Sequence, residues 1–303
     1  MNNNPKVAVC LWGTMRSPNS CLHTLYKNII EPWQTDVIVC INECYSHPDK
    51  SDVERVDMLR QLGANIVEQD IRKQPDLNTF FPKSFYDKFI PMAQERLKQH
   101  DNPCWVNFVG PLVGTHANLH LRVNWYKLGN LLRDKNYVDK YDYFFITRPD
   151  HLYMFPMFDK SFLNEDEIVH YDEHGFGGIN ADFVIVSKKN VLEWLNKISI
   201  QYLCDETLQD ILIEEMKHMD LWIAEEYSAL ITRLNPWKLK PMCINSFIAC
   251  DSPNELSSWN KVMFDGEHYF KYHSNRDPCK HNYGLWKDNY RWTNTVDKIK
   301  LVK

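Results

Sequence analysis

Compact apolar runs alternate with amphipathic stretches through the N-terminal part of the chain. Residues 6–12 (KVAVCLW), 35–43 (TDVIVCINE) and 65–70 (NIVEQD) are short, rich in β-favouring side chains, and read as strands. Between the first two, NSCLHTLYKNIIEPW places Leu22, Leu25, Ile29 and Ile30 on one helical face. Between the second and third, KSDVERVDMLRQLGA sets Val53, Val56, Leu59 and Leu62 at helical spacing, with Gly63 as the stop. Strand–helix–strand–helix–strand predicts an α/β fold with a mostly parallel central sheet flanked by helices. Such sheets bind ligands in the crevice beyond the carboxyl ends of their strands.

The pattern is less regular over 71–114, where PKSFYDKFIPMAQERLKQH reads as helical but broken by Pro91. A long helix follows over 117–136, with Leu121, Trp125, Leu128 and Leu132 on its buried face. It leads into YDYFFITRPDHLYMFP, an apolar strand that stops on Arg148-Pro149-Asp150-His151. Next come a strand at 168–171, a loop with Gly175, Gly177 and Gly178, a strand at 183–187 and a helix from about Lys189. DETLQDILIEEMKHM and DLWIAEEYSALITRL read as helices. The tail from Ser252 is polar and aromatic, and Tyr269, Tyr272, Tyr283, Trp286, Tyr290 and Trp292 predict that it packs over the body. With no repeat, low-complexity tract or linker, one elaborated domain is the simplest organisation.

Composition narrows the partners. Of 303 residues, 44% are hydrophobic and 25% charged, a globular balance, and a net charge of -5 offers no basic footprint for nucleic acid. No stretch approaches the ~18 uninterrupted apolar residues of a membrane-spanning helix. The N-terminus lacks the charged–apolar–small order of a signal peptide, so a cytoplasmic location is expected. The nine cysteines are scattered with no CxxC pair, which predicts reduced, mostly structural thiols. Cys40 and Cys44 could share a metal, but Cys40 lies in an apolar run and is expected to be buried.

Five places could carry chemistry. Asp150 falls just after a buried strand, where a hard divalent cation such as Mg²⁺ or Mn²⁺ takes carboxylate oxygens and bridges them to a diphosphate. Pro149 would restrict its aim, and Arg148 could pair with a phosphate or a carboxylate. The plain alternative is a strand-end turn in solvent. The loop Gly13–Pro18 follows the first strand and precedes a helix, so Gly13 and Thr14 could approach a nucleotide with Arg16 contacting its phosphates. An ordinary turn serves equally. It is neither GxGxxG nor a Walker loop. Asp182, at the mouth of another strand, could hydrogen-bond a sugar hydroxyl, or be solvated. Glu225 and Glu226 open a helix, where one could act as a general base, or both could simply favour the helix dipole. Of the tail histidines His268, His273 and His281, one could join Asp150 at a metal, or all could be packed or hydrogen-bonded imidazoles; His116, His120 and His151 share that plain alternative. Arg122, on the long helix, is counted with the donor-binding candidates.

The order of these pieces resembles the nucleotide-sugar-dependent glycosyltransferases of the GT-A fold. More narrowly it is similar to an "RPD" branch found in bacteria and large DNA viruses, including the chlorella-virus capsid-glycan enzymes. The pieces are a first strand ending in G-x-x-R, DVIVCIN, NWYKLGNLL, YDYFFITRPDHLY, a Gly-rich loop into ADFVIVSKKNV, and an EE helix start. The resemblance spans about 6–230. It implies a GT-A-like, Rossmann-type catalytic domain over 1–303, with a nucleotide-binding half (1–115), a metal and acceptor half (116–250) and a C-terminal extension (251–303). Asp150 matches the last acid of D-x-D and would hold Mn²⁺ or Mg²⁺. Arg148 replaces the first acid, which either weakens the metal site or lets the guanidinium itself neutralise the diphosphate. Asp182 matches the position that orients a sugar, Glu225 or Glu226 the acceptor-side acid, and His273 the late histidine that completes the metal site. The implied partners are a UDP-sugar (or GDP-sugar) donor and a glycan acceptor. If the chain is viral, the implied place is the host cytoplasm. Asp150→Ala is expected to abolish transfer while the fold survives. Two other readings of the same sheet stay open: a non-catalytic nucleotide-sugar or carbohydrate-binding protein, and a nucleotidyltransferase acting on a triphosphate.

Overall fold

The protein is described by a computed structural model covering residues 4–15, 19–43, 52–99, 106–114, 118–153, 156–171, 180–219, 222–242, 246–250, 262–264, 269–271 and 300–302. Strand β1 (Val7–Thr14) runs two residues further than its apolar pattern suggests. It is followed by α1 (Asn19–Leu25), which continues through a π-turn (Tyr26–Ile30) into the short α2 (Glu31–Trp33). Next come β2 (Asp36–Asn42), α3 (Asp52–Leu62), β3 (Asn65–Arg72), α4 (Leu77–Phe80), α5 (Lys83–Gln99) and α6 (Asn118–Asp134). The middle of the chain supplies β4 (Tyr143–Thr147), β5 (His151–Tyr153), β6 (Glu167–Tyr171) and β7 (Asn180–Ser187). Then α7 (Val191–Asn196) passes through a second π-turn (Lys197–Gln201) into α8 (Tyr202–Cys204). After α9 (Glu206–Met216) and α10 (Ala224–Arg233) come five strands: β8 (Lys238–Met242), β9 (Ser246–Cys250), β10 (Val262–Phe264), β11 (Tyr269–Lys271) and β12 (Lys300–Val302).

Seven strands form the central sheet in the order β3-β2-β1-β4-β7-β6-β8. β3, β2, β1 and β4 are mutually parallel, β7 is antiparallel to β4 and β6, and β8 is parallel to β6. The mostly parallel α/β architecture expected from the sequence is the one the chain adopts. β1 and β4 are buried on both faces, as strands covered by helices must be. One face packs Leu22, Leu25, Ile29 and Trp33 against Val9, Leu11 and Phe145. The other packs Trp125, Leu128, Leu132 and Trp194 against Cys10, Ile38 and Ile146. A third apolar cluster joins α5, α9 and α10 through Phe85, Phe89, Phe108, Leu212 and Tyr227.

A second sheet, in the order β12-β10-β11-β9-β5, is not foreseen by the sequence pattern. Its strands β10, β11 and β12 are only three residues long, and their side chains lie outside the described structure, like Tyr272, Tyr283, Trp286, Tyr290 and Trp292 of the tail. β5 begins three residues after β4 ends, so Arg148-Pro149-Asp150 alone connects the two sheets at that point.

Two further expectations are corrected. α5 is continuous through Pro91. Pro91 is on the exposed side while Phe85, Phe89 and Ala93 are buried, so the carbonyl it leaves without an N–H can turn to water. In α3, Val53 is 48% exposed, and Arg55 joins Val56 and Leu59 on the buried face, where its guanidinium donates to the Met15 carbonyl. Four free thiols are described: Cys10, Cys21 and Cys40 are buried and Cys204 is partly so. Cys44 lies outside the described residues. No described helix is long and apolar enough to cross a membrane.

Candidate functional site

Strand register decides which candidates meet. Leu11 of β1 pairs with Thr147 of β4, so Trp12, Gly13 and Thr14 extend past the end of β4. Thr147 also pairs with Phe183 of β7, which runs the opposite way. Asp182, one residue earlier in β7, therefore sits at the level of Arg148. Gly13, Thr14, Arg148, Asp150 and the start of β7 thus share the carboxyl edge of the parallel strands, the edge where α/β sheets take ligands. The side chain of Asp182 lies outside the described structure, as do Arg16 and His273.

Gly13 has φ +97, a backbone that side-chain-bearing residues seldom adopt, and open space where a Cβ would stand. Thr14 pairs with Asn42 at the end of β2. The next residue, Met15, is held by Arg55 from α3. The loop leaving β1 is therefore braced from the helix layer.

Asp150 is buried at 2% exposure, contrary to the picture of a turn in solvent. Arg148 grips it in a two-point fork, Nε to Oδ1 at 2.9 Å and Nη2 to Oδ2 at 2.5 Å. The planar guanidinium suits this bidentate pairing, which a lysine could not reproduce. The turn is anchored from both sides. Thr147 and Tyr153 share a hydroxyl–hydroxyl bond of 2.6 Å. The Tyr153 amide donates to Thr24 of α1, and Asn28 donates to the Tyr153 carbonyl at 2.7 Å. β5 also pairs with β9, His151 opposite Ile248.

Among the described residues no three His, Cys, Asp or Glu side chains come together. His273, expected to complete a metal site, lies outside them. Asp150, the acid expected to hold the ion, has the Arg148 guanidinium on both oxygens, so a cation there would share the carboxylate with that fork.

Arg122, counted with the donor-binding candidates, is fully buried on α6. Its Nη1 donates to the Ile198 carbonyl at 3.0 Å, and its Nη2 to the Ala224 carbonyl at 2.6 Å and to Ser228 Oγ at 3.1 Å. The guanidinium lies over the rings of Trp125, at 5.2 Å, and Tyr227, at 4.4 Å. Burial pulls its pKa down to about 10, against the opposite pull of Tyr227 and Glu225. Glu225 and Glu226 are partly exposed in the first turn of α10.

Sequence reasoning missed a polar group at the end of β2. Asn42 donates to Asn124 of α6 at 2.6 Å and accepts from Lys127 Nζ at 3.1 Å. Burial lowers the Lys127 pKa, and burial followed by the charge of Lys127 lowers that of His120. The available signal was an asparagine closing an otherwise apolar strand, with Asn124 and Lys127 three residues apart on one helix. Trp12 packs edge-on against Trp125 at 5.4 Å, joining β1 to the same helix.

No family model matches the chain, and no curated protein does. Among solved structures, the apo form of mouse xyloside xylosyltransferase 1 is similar over 78% of this chain and 84% of that one. The TM-score is 0.41 and the identity 8%, a distant likeness that says nothing of donor or acceptor.

Proposed function

We propose that the protein is a GT-A-like glycosyltransferase that moves a sugar from a nucleoside-diphosphate sugar, UDP-linked in the first instance, to a hydroxyl of a glycan. The observation that carries this reading is the double register at Thr147, which brings the β1 loop, the Arg148–Asp150 turn and the start of β7 to one edge. Gly13 and Thr14 give backbone access to the nucleotide, as a positive-φ glycine at a strand end allows. Asp182 orients a sugar hydroxyl from the neighbouring strand. Glu225 or Glu226, partly exposed at a helix start, accepts the acceptor proton if the reaction inverts.

The Arg148–Asp150 pair sets the local charge. A developing diphosphate is stabilised by fixed positive charge already in place, and Arg148 is the group nearest to that task. A divalent cation, Mn²⁺ or Mg²⁺, would have to share the Asp150 carboxylate with the Arg148 fork, and no step is assigned to it.

The test is a thermal-shift titration with UDP and GDP, each with and without Mn²⁺, on the wild type and Asp150→Asn. Ligand binding raises the melting temperature by mass action. Stabilisation by one nucleotide, lost in the variant, supports the reading. If it needs Mn²⁺, Asp150 serves the cation; if it does not, Asp150 acts by holding Arg148 in place. No stabilisation by either nucleotide removes the donor site and with it the proposal.

A further inference from the structure

A buried arginine with no carboxylate hydrogen-bonded to it is costly, and a fold that keeps one uses its donors for something else. Arg122 has no exposure, and the partners of its hydrogen bonds are two carbonyls and one hydroxyl. Those partners lie on two separate pieces of chain. Ile198 is in the π-turn after α7; Ala224 and Ser228 are on α10. The Ala224 carbonyl is immediately followed by Glu225 and Glu226. No side chain caps this helix start, since Ile223 at the N-cap has none to offer. Ser228 Oγ donates to the same Ala224 carbonyl at 2.8 Å, so carbonyl, hydroxyl and guanidinium form a closed triangle around the first turn.

From Arg122 the connection to the sheet edge is short. Two residues on, Asn124 accepts from Asn42, which pairs in register with Thr14. One residue further, Trp125 supports the guanidinium on one side and Trp12 of β1 on the other. Tyr227 of α10 also lies against the cation and itself stacks on Phe108 at 4.6 Å.

We propose that Arg122 is the positioning residue of the acidic first turn of α10, holding Glu225 at a set distance from the β1–β4 edge. The inference rests on the glycosyltransferase reading for what Glu225 does; the tie itself rests on geometry alone. Of the two acids, Glu225 is the one whose charge is felt at Arg122. Arg122→Lys keeps the charge but loses the planar fork, so it cannot reach Ile198, Ala224 and Ser228 together or lie against both rings.

The experiment combines hydrogen exchange with kinetics on Arg122→Lys, Glu225→Gln and the double variant of the full chain, with Ser228→Ala as a milder cut of the same triangle should Arg122→Lys fail to fold. Amides of 227–231, the first with helical acceptors, are expected to exchange about tenfold faster in Arg122→Lys, while those of β1 and β4 keep their wild-type protection. With a nucleotide sugar as donor, kcat is expected to fall on the order of a hundredfold, with donor KM within about twofold, as for a misplaced group. Glu225→Gln is expected to cost little more once Arg122 is changed, because coupled residues do not add. Exchange that is unchanged, or raised evenly through α6 and α10, overturns the tie. Local exchange with unaltered kcat, or losses that multiply, overturns the positioning role. If no nucleotide sugar is turned over by the wild type but exchange still rises only at 227–231, the tie stands and the glycosyltransferase reading falls.

Discussion

At the scale of single residues, the candidate site depends on two arginines that carry charge inward. Arg148 neutralises Asp150, and Arg55 holds the Met15 carbonyl beside the β1 loop. The burial of Asp150 alters what a substitution there measures. Asp150→Ala leaves Arg148, at 16% exposure, without its carboxylate. Breaking a buried pair costs about 3 kcal/mol, so the expectation that the fold survives untouched needs a control. Asp150→Ala is expected to lower the urea midpoint clearly. The joint replacement Arg148→Met with Asp150→Leu is expected to recover most of the loss, since apolar isosteres avoid the desolvation cost. A double variant no more stable than Asp150→Ala would mean that the fork is not what holds the turn.

At the scale of elements, the expected stop at Gly63 is where α3 ends, with a full set of reasons. Gly63 takes φ +106, its amide donates to the Arg60 carbonyl at 3.0 Å, and Ala64 donates to Leu59 at 3.0 Å. An added Cβ would come within 2.6 Å of the Tyr26 hydroxyl. Gly63→Ala is expected to destabilise by about 1–2 kcal/mol from the left-handed backbone alone, read as a lower melting temperature with the unfolding slope unchanged. A neutral result would show that Tyr26 and the backbone both relax. β1 and β2 were legible because continuous apolar runs suit strands buried on both faces, and α1 because its apolar positions at helical spacing, Leu22 and Leu25, are buried. Val53 and Arg55 were not, because a long cationic side chain can lie along a buried face when its head finds a carbonyl. The second sheet was illegible for a related reason: strands of three residues are too short to show a period. Within the site, the places of Gly13, Thr14, Arg148 and Asp150 at strand ends could be read from the chain. The inward aim of Arg122 could not, since periodicity locates a residue on a helix face without saying what waits opposite.

At the scale of the whole molecule, thiols and phenols set the alkaline limit. Burial raises Cys40 to about 12 and Cys204 to about 11, and raises Cys10 well above its ordinary value with help from neighbouring Cys40. Burial also raises Tyr137 to about 12, Tyr141 and Tyr227. Each raised group holds its proton in the folded chain at a pH where the unfolded chain has released it. Stability is therefore full below the unfolded thiol value of 9.0 and declines as pH rises toward 12. Arg122, Lys127 and Lys160, lowered by burial, pull the other way, but only once their own folded values are approached. The urea midpoint is expected to fall between about pH 8 and pH 10, and to fall less in Cys40→Ala. A midpoint that holds level over that range would remove buried thiols as the cause.

The three-residue link between the sheets also bears on the order in which the chain is made. β4 meets its partner β7 within some forty residues, as Thr147 pairs with Phe183. β5 must wait for β9, nearly a hundred residues later, as His151 pairs with Ile248. During synthesis the Arg148–Asp150 turn therefore stands for a time with one shoulder docked in the central sheet and the other an open strand edge, the kind of surface on which nascent chains misassociate. The fork between Arg148 and Asp150 closes between residues two apart in the chain. It can help hold the turn's shape through that interval, before β9 arrives to pair with β5.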